Sequence, residues 1–401
     1  MQGYKVNIPA DVHFILDRLC RFGYTAHIVG GCVRDMLIGL IPSDYDITTS
    51  ATPDEVKKVF SDFRIIDTGI KHGTVTLICS DLPYEITTYR TEGAYTDNRH
   101  PDSVSFTRTL SLDLSRRDFT INAMCADKDG EVVDLFGGIE HIGARVISAV
   151  GCASERCCED SLRILRALRF SATLGFTLDK QTDEAVRDCR ELLKNISVER
   201  SYSELIKMLG GKYAHDVLSR YADVIKTVLP ELSRLSLPDK SRFDTASDKL
   251  RLASLFAVGS EEPAVAFEAA MRRMHTDTKT RRLGVCALTH LSYPMESDTD
   301  LLKLLYRVGV ECAEFTVGLR ALLSNDDGVV QRLFLAEKTG KPYKISDMAA
   351  GGEVFARAGF RGEEIGMAIE RTLYAIIDAE IKNTEEEISK YAGELKKGGR
   401  L

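Results

Sequence analysis

Several features are missing from this 401-residue sequence. No apolar run is long enough to span a membrane and no secretory signal is evident, which argues against a membrane-embedded or exported protein. The ten cysteines are scattered and none forms a C-x-x-C knuckle. Neither a disulfide framework nor a zinc ribbon is indicated, and a reducing cytoplasm with free thiols is the expected setting. The densest group, Cys152, Cys157 and Cys158, has no nearby histidine to complete a zinc set and reads as three helix-packing thiols. A basic excess is absent too. The net charge is −7, so nucleic acid would have to be met by local basic patches rather than by a global field. There is no internal repeat, no low-complexity segment and no sign of a protein partner. The length predicts roughly two to four domains.

What is present is concentrated early. Ala26–Val29 reads as a short strand, Gly30-Gly31 as a sharp turn, and Val33–Leu40 as a helix. Glycine permits backbone angles that side chains forbid, and a helix start with unpaired amides attracts phosphate. Arg34 adds a planar, permanently charged fork for phosphate oxygens. A few residues on, Asp44 and Asp46 alternate in a segment, 44–48, that reads as strand, so both carboxylates share one face. Side by side they would repel. Magnesium relieves this, since it takes hard oxygen ligands and leaves room for substrate phosphates.

Around these motifs the pattern is α/β. A helix is predicted over residues 10–22. Another is predicted over 53–60, with Thr52 and Glu55 as a capping box and Pro53 at its first position. Strands are predicted at Phe63–Asp67, Thr74–Cys79 and Tyr84–Tyr89. Arg90–Pro101 reads as a mobile loop. After about residue 140 the β signal fades, and helical patterns cover 154–174, 181–194, 197–209, the stretch 212–335, and finally 362–380 and 383–397.

Three further polar groups stand out. Arg116-Arg117-Asp118-Phe119-Thr120-Ile121-Asn122-Ala123 puts two arginines before a predicted helix, with Asp118 and Asn122 on one face, suited to phosphate and a ribose hydroxyl or simply to a capped, solvated end. Asp134-Leu135-Phe136-Gly137-Gly138 reads as a strand end and turn. Glu159-Asp160-Ser161-Leu162-Arg163, inside the predicted 154–174 helix, is either a surface salt bridge or a recognition edge. As an edge, arginine donates two hydrogen bonds and aspartate accepts one, a combination that separates C and A from U and G. Arg166 and Arg169 continue the basic row.

Taken in order, these motifs resemble the class II tRNA nucleotidyltransferases, the family of CCA-adding enzymes and bacterial poly(A) polymerases. The likeness is dense over residues 24–205 and weaker beyond, where Gly362-Glu363-Glu364-Ile365-Gly366 and Asn383 look like the family's tail. The resemblance implies a polymerase-β-type head with a mixed sheet and helices (1–145), then an all-α neck (146–210), body (211–335) and tail (336–401) in a seahorse-like shape. It implies template-independent addition of C, C and A to the tRNA 3′ end from CTP and ATP. It assigns two Mg²⁺ ions to Asp44 and Asp46, with Glu85 as a possible third carboxylate. The triphosphate goes to Gly30, Gly31 and Arg34, the sugar and phosphate side to Arg117, Asp118 and Asn122, and base choice to Glu159, Asp160 and Arg163. Arg166 and Arg169 suit triphosphate or RNA phosphate. The Arg90–Pro101 segment matches the family's flexible loop. Candidate tRNA contacts in the tail are Arg361, Gly362, Lys396, Lys397 and Arg400.

The stretch from Asp67 to Val75 lacks a basic Arg-Arg-Phe run and looks CCA-type rather than poly(A)-type. A CC-only or A-only enzyme, a poly(A) polymerase and a non-catalytic RNA-binding relative are the alternatives. The single His215-Asp216 dipeptide reads as incidental rather than as a metal phosphohydrolase centre.

Overall fold

A computed structural model describes residues 4–93, 103–324, 326 and 328–398. The chain divides into two compact units, Met1–Pro230 and Glu231–Leu401.

The first unit opens with helix α1 (Ala10–Arg21), strand β1 (Ala26–Val29), helix α2 (Gly31–Leu37), strand β2 (Ile47–Thr49) and helix α3 (Pro53–Val59). The Thr52–Glu55 capping box forms as the sequence predicts. Strands β3 (Arg64–Gly69), β4 (Thr74–Cys79) and β5 (Leu82–Thr88) follow, then the small ribbon of β6 (Arg90–Glu92) and β7 (Val104–Phe106). Helix α4 (Leu110–Ser115), strands β8 (Met124–Ala126) and β9 (Val132–Asp134) and helix α5 (Gly138–Ala144) complete the head. Seven strands form one sheet in the order β3-β4-β5-β2-β1-β8-β9. Only β2 and β5 run parallel and the remaining pairs are antiparallel. Apolar residues of α1, α2 and α3 pack with the strands into one core that includes Ile15, Leu19, Ile28, Val33, Ile47, Phe60 and Ile86. This is the expected mixed sheet with helices.

Beyond residue 145 come a short parallel pair, β10 (Val146–Ile147) with β11 (Thr177–Leu178), and helices α6 (Ala153–Glu159), α7 (Leu162–Leu174), α8 (Lys180–Asp188) and α9 (Val198–Leu209). The second unit is helical. It has one core around Leu301, Leu305, Val317, Leu333 and Leu373 and another around Phe355, Phe360, Ala368, Ile388 and Ala392. Asn383 clips it locally, accepting from the Ala349 amide at 2.8 Å and donating to the Asp347 carbonyl at 2.9 Å.

Several expectations are corrected. The helix predicted over Val33–Leu40 starts at Gly31 and ends at Leu37. Asp44 and Asp46 precede β2 rather than lying within a strand. The Arg90–Pro101 segment begins as β6, paired with β7, because the Arg90–Glu92 backbone finds ladder partners in Val104–Phe106; residues 94–101 of that call lie outside the described residues. The predicted 154–174 helix is two helices, since Asp160 is extended (φ −131°, ψ 101°) between them. Residues 190–195 leave the predicted 181–194 helix as a 3-10 segment. Of the three clustered thiols only Cys157 is buried, whereas Cys152 and Cys158 are exposed.

The Asp134–Gly138 turn shows why its residue types occur there. The Asp134 carboxylate accepts from the amides of Phe136, Gly138 and Ile139 at 3.2, 2.9 and 2.9 Å, and Gly137 adopts φ +76°. A Cβ on Gly138 would stand 2.4 Å from the Thr120 carbonyl oxygen and 2.8 Å from Met124 Cγ. Gly138→Ala should therefore force backbone apart and destabilise the head by about 1–3 kcal/mol. Thermal denaturation measures this, and an unchanged midpoint would refute the close packing.

Candidate active site

The glycine turn sits where β1 hands over to α2. Gly30 has φ +84°, which a side chain resists. Its amide donates to the Met124 carbonyl at 3.0 Å, so the pairing of β1 with β8 consumes it. The first turn of α2 is led by Gly31, Cys32 and Val33. A Cβ on Gly30 would lie 3.2 Å from Arg117 Nη1, so the Arg117 guanidinium rests directly over the turn.

Next to this turn the Val29 amide donates to the Asp46 carbonyl at 3.0 Å, which carries β1 pairing one residue beyond β2. Because Ile47 pairs with Ile86 in the parallel register, Asp46 and Glu85 are the preceding neighbours on adjacent chains and share a face. Asp44 and Asp46 both keep solvent-exposed surface, as does Glu85. Protein atoms crowd the inner side of the Asp46 carboxyl and push it above the usual carboxylate range; Asp44 pushes the same way, Arg117 opposes, and Glu85 adds a further upward push. Beneath them the buried Cys32 thiol is raised to about 12, by burial first and by Asp46 second, which leaves it inert. Among the described residues no three His, Cys, Asp or Glu side chains converge into a ready-made metal cluster. The donor set nevertheless fits a hard cation that takes one or two carboxylates and completes its shell with water and phosphate.

The Arg116–Ala123 stretch is not an α-helix. Phe119 is extended and bridges to Ala149, and only Thr120–Asn122 form a single 3-10 turn before β8. Asp118 and Asn122 still meet, Asn122 Nδ2 donating to Asp118 Oδ1 at 3.3 Å. Arg166 grips Asp118 Oδ2 with Nε and Nη2 at 2.8 and 2.6 Å, and Arg34 Nη1 donates to Asn122 Oδ1 at 2.6 Å. Burial alone would raise the Asp118 carboxyl, but Arg166, the Phe119 amide and Arg163 outweigh it and hold the group below its usual range. Arg34 also donates to Asp35, and Arg169 faces Glu204 at 2.6 Å while lying 4.1 Å from the centre of the Phe170 ring. The cations expected to meet phosphate thus each hold a carboxylate or amide partner in this structure.

Arg116 differs from its neighbour. It binds Asp113 through Nε and Nη2 at 3.0 and 2.8 Å and Glu92 through Nη1 at 2.9 Å. That ties α4 to β6 rather than leaving the guanidinium for a ligand. Asp113 is fully buried and also receives Thr48 Oγ1 at 3.1 Å. The sequence reading passed over Asp113 and Glu92. Asp113 was findable, since it stands three and four residues before Arg116 and Arg117.

The base-reading candidates divide their partners. Arg163 is buried and donates to Glu159 Oε2 at 2.6 Å and to the carbonyls of Arg156 and Arg116, each at 3.1 Å. Asp160 pairs instead with Arg200, at 3.0 Å. Thus Glu159, Asp160 and Arg163 lie together, although Asp160 and Arg163 are not an ion pair. In the second unit, Glu364 Oε2 accepts from the Arg361 amide at 3.3 Å and from Lys396 Nζ at 2.8 Å. This draws Arg361, Gly362 (φ +56°) and Lys396 together, Lys397 is exposed, and Arg400 lies outside the described residues.

The sequence model for the poly A polymerase head domain matches residues 26–148. The one described as "Probable RNA and SrmB- binding site of polymerase A" matches residues 175–235. The CCA-adding enzyme of Lactobacillus delbrueckii subsp. bulgaricus is 36% identical over 389 residues, 94% of this chain and 96% of its own length. That of Geobacillus kaustophilus is 48% identical over 209 residues, 52% of this chain and 51% of its own. Among solved structures, the Bacillus stearothermophilus CCA-adding enzyme in complex with CTP aligns with a TM-score of 0.81 at 30% identity, covering 97% of this chain and 98% of that one. A Thermotoga maritima CCA-adding enzyme complexed with tRNA shares the fold, with a TM-score of 0.70 at 20% identity over 98% of this chain and 100% of that one. A head of seven mixed strands with the Gly30 turn beside Asp44 and Asp46, and similarity along nearly the whole length, lead to one assignment: the chain belongs to the CCA-adding enzymes, a family of tRNA nucleotidyltransferases.

Proposed function

We propose that this protein adds C, C and A to the tRNA 3′ end from CTP and ATP, without a nucleic-acid template and with release of pyrophosphate. The observation that carries the reading is the grouping of Asp44, Asp46 and Glu85 beside Arg117, which lies over the Gly30 turn. Residues 1–145 carry out the transfer, 146–210 select the base, and the helical 211–335 and 336–401 hold tRNA through its shape and backbone, the last with Arg361, Gly362, Lys396 and Lys397. No helix among the described residues is long and apolar enough to cross a membrane, and the ten free thiols suit the cytoplasm.

Asp44 and Asp46, with Glu85 alongside, would hold two Mg²⁺ ions, which when bound activate the primer hydroxyl and neutralise triphosphate charge. The chain's own residues do the positioning. Gly30 and Gly31 let the backbone approach the triphosphate closely. Arg117 and Arg34 supply fixed positive charge at its oxygens, and Arg166 and Arg169 extend that charge along the same side. Asp118 and Asn122 hydrogen-bond the sugar edge. The primer 3′-hydroxyl attacks the α-phosphorus, the P–O bond to the β-phosphate breaks, and pyrophosphate leaves in line. Asp160 accepts from the amino group that C and A share, Arg163 donates to the neighbouring acceptors, and Glu159 holds Arg163 in place.

The first test is extension of a tRNA transcript lacking its last three residues, with each nucleoside triphosphate and magnesium. Two C and one A followed by arrest is the expected product. C only, A only on a CC end, or an open-ended A tail would replace it with another activity of the family, and no incorporation would remove the catalytic claim. Asp44→Ala should lower transfer by at least about a thousandfold while leaving tRNA affinity within about twofold, and retained transfer would remove Asp44 from the site. Asp46 yields a prediction of opposite sign for stability. Its raised carboxyl makes the folded state favour the protonated form, so its contribution is intact below the ordinary value of 3.8 and is lost as pH rises through the raised value. Asp46→Asn should therefore melt higher than the parent at pH 7, converge with it on acidification, and be inactive. A lower midpoint at pH 7 would refute the crowding.

A further inference from the structure

Asp160 occupies an unusual place for a residue that must present a carboxylate accurately. It is the extended joint between α6 and α7, so no helical turn on either side fixes its side chain. Two contacts do. Its Oδ1 accepts from the Leu162 amide at 3.1 Å, which ties it to the start of α7. Its Oδ2 accepts from Arg200 Nη2 at 3.0 Å, and Arg200 stands on α9, forty residues along the chain. A second ion pair, of reversed polarity, joins α7 itself to α9, Arg169 to Glu204 at 2.6 Å. Arg200 and Glu204, four apart, share one face of α9. The two crossed pairs fix the register of α9 against α7, and with it the point from which Arg200 reaches Asp160.

The pair is poorly explained by stability alone. The Asp160 and Arg200 side chains keep 20% and 29% of their surface exposed, where an ion pair contributes little. Arg200 Nη1 is enclosed with no hydrogen-bond acceptor, which subtracts from what the pair contributes to stability. What the pair does is aim an oxygen. A carboxylate separates C and A, which offer an amino hydrogen, from U and G, which offer a carbonyl oxygen, only if it is held within a fraction of an ångström of its working position.

We propose that Arg200 is a positioning residue for base choice, holding the Asp160 carboxylate so that it accepts from the amino group of C or A and repels the carbonyl of U or G. The inference rests on Asp160 meeting the base, as argued under Proposed function. The test compares kcat/KM for CTP and UTP on a tRNA transcript lacking CCA, in full-length Arg200→Gln and Arg200→Lys, beside Asp160→Asn. Arg200→Gln should lower the CTP-to-UTP preference by about tenfold, mainly through KM for CTP, and Arg200→Lys by about two- to fivefold, because a single ammonium restores charge but not the guanidinium geometry. The double variant Arg200→Gln/Asp160→Asn should lose no more preference than Asp160→Asn alone. A uniform fall with both nucleotides and a lowered melting temperature would make Arg200 merely structural and overturn the proposal. If Arg200→Gln does not fold, Arg200→Lys decides by the same ratio, an unchanged preference being fatal. Native selectivity in Asp160→Asn would overturn both this inference and the assignment of Asp160. Lost selectivity there with native selectivity in Arg200→Gln would overturn the inference alone.

Discussion

Charge withdrawn from water must be paired, and the centre of the first unit is organised by that requirement. Asp113 is fully buried and Arg34, Arg163 and Glu204 nearly so, yet each meets an opposite charge or an amide. The basic face of α7 meets the head where Asp118 receives Arg166 and meets α6 where Glu159 receives Arg163, and α9 meets α7 where Glu204 faces Arg169. Removing one partner from such a set leaves a charge stranded, at a cost of about 3–5 kcal/mol when fully buried. On the function proposed above, the same pairs prepare the site for phosphate. Arginines already desolvated and oriented by carboxylates need little reorganisation when an anionic ligand arrives.

The carboxylates at the mouth of the sheet follow the opposite rule. Asp44 and Glu85 both push the Asp46 carboxyl up, and Arg117 opposes them. A chain that pairs Asp113, Arg34 and Arg163 yet gathers like charge around Asp46 has conceded stability there. On the function proposed above, that local conflict is where an added cation would bind.

How much of this the sequence disclosed depends on how local each feature is. The Thr52–Glu55 cap, the Gly30 turn and the strand at Thr74–Cys79 are set by neighbours within a few residues, and all were legible. The Asp44–Asp46 pair was legible as chemistry, though not as strand, because its backbone pairing stops at Asp46. The long-range side-chain pairs were not legible. Arg34 meets Asn122 across 88 positions, Asp118 meets Arg166 across 48, and Asp160 meets Arg200 across 40, and no periodicity carries such pairings. The same limit explains the false continuous helix over 154–174. Glu159 and Arg163 do pair at helical spacing, which concealed the joint at Asp160, whose side chain accepts from the Leu162 amide.

That joint separates two sets of partners. In an unbroken helix Asp160 and Arg163, three apart, would face each other and pair, and each would cancel what the other offers to a base. The break instead turns Asp160 toward Arg200 and leaves Arg163 to Glu159 and two backbone carbonyls. Acceptor and donor are each oriented by a partner outside the pair. The base reading proposed above needs this acid and this base near one another without cancelling each other, and the interruption of the helix at a single residue is consistent with that need.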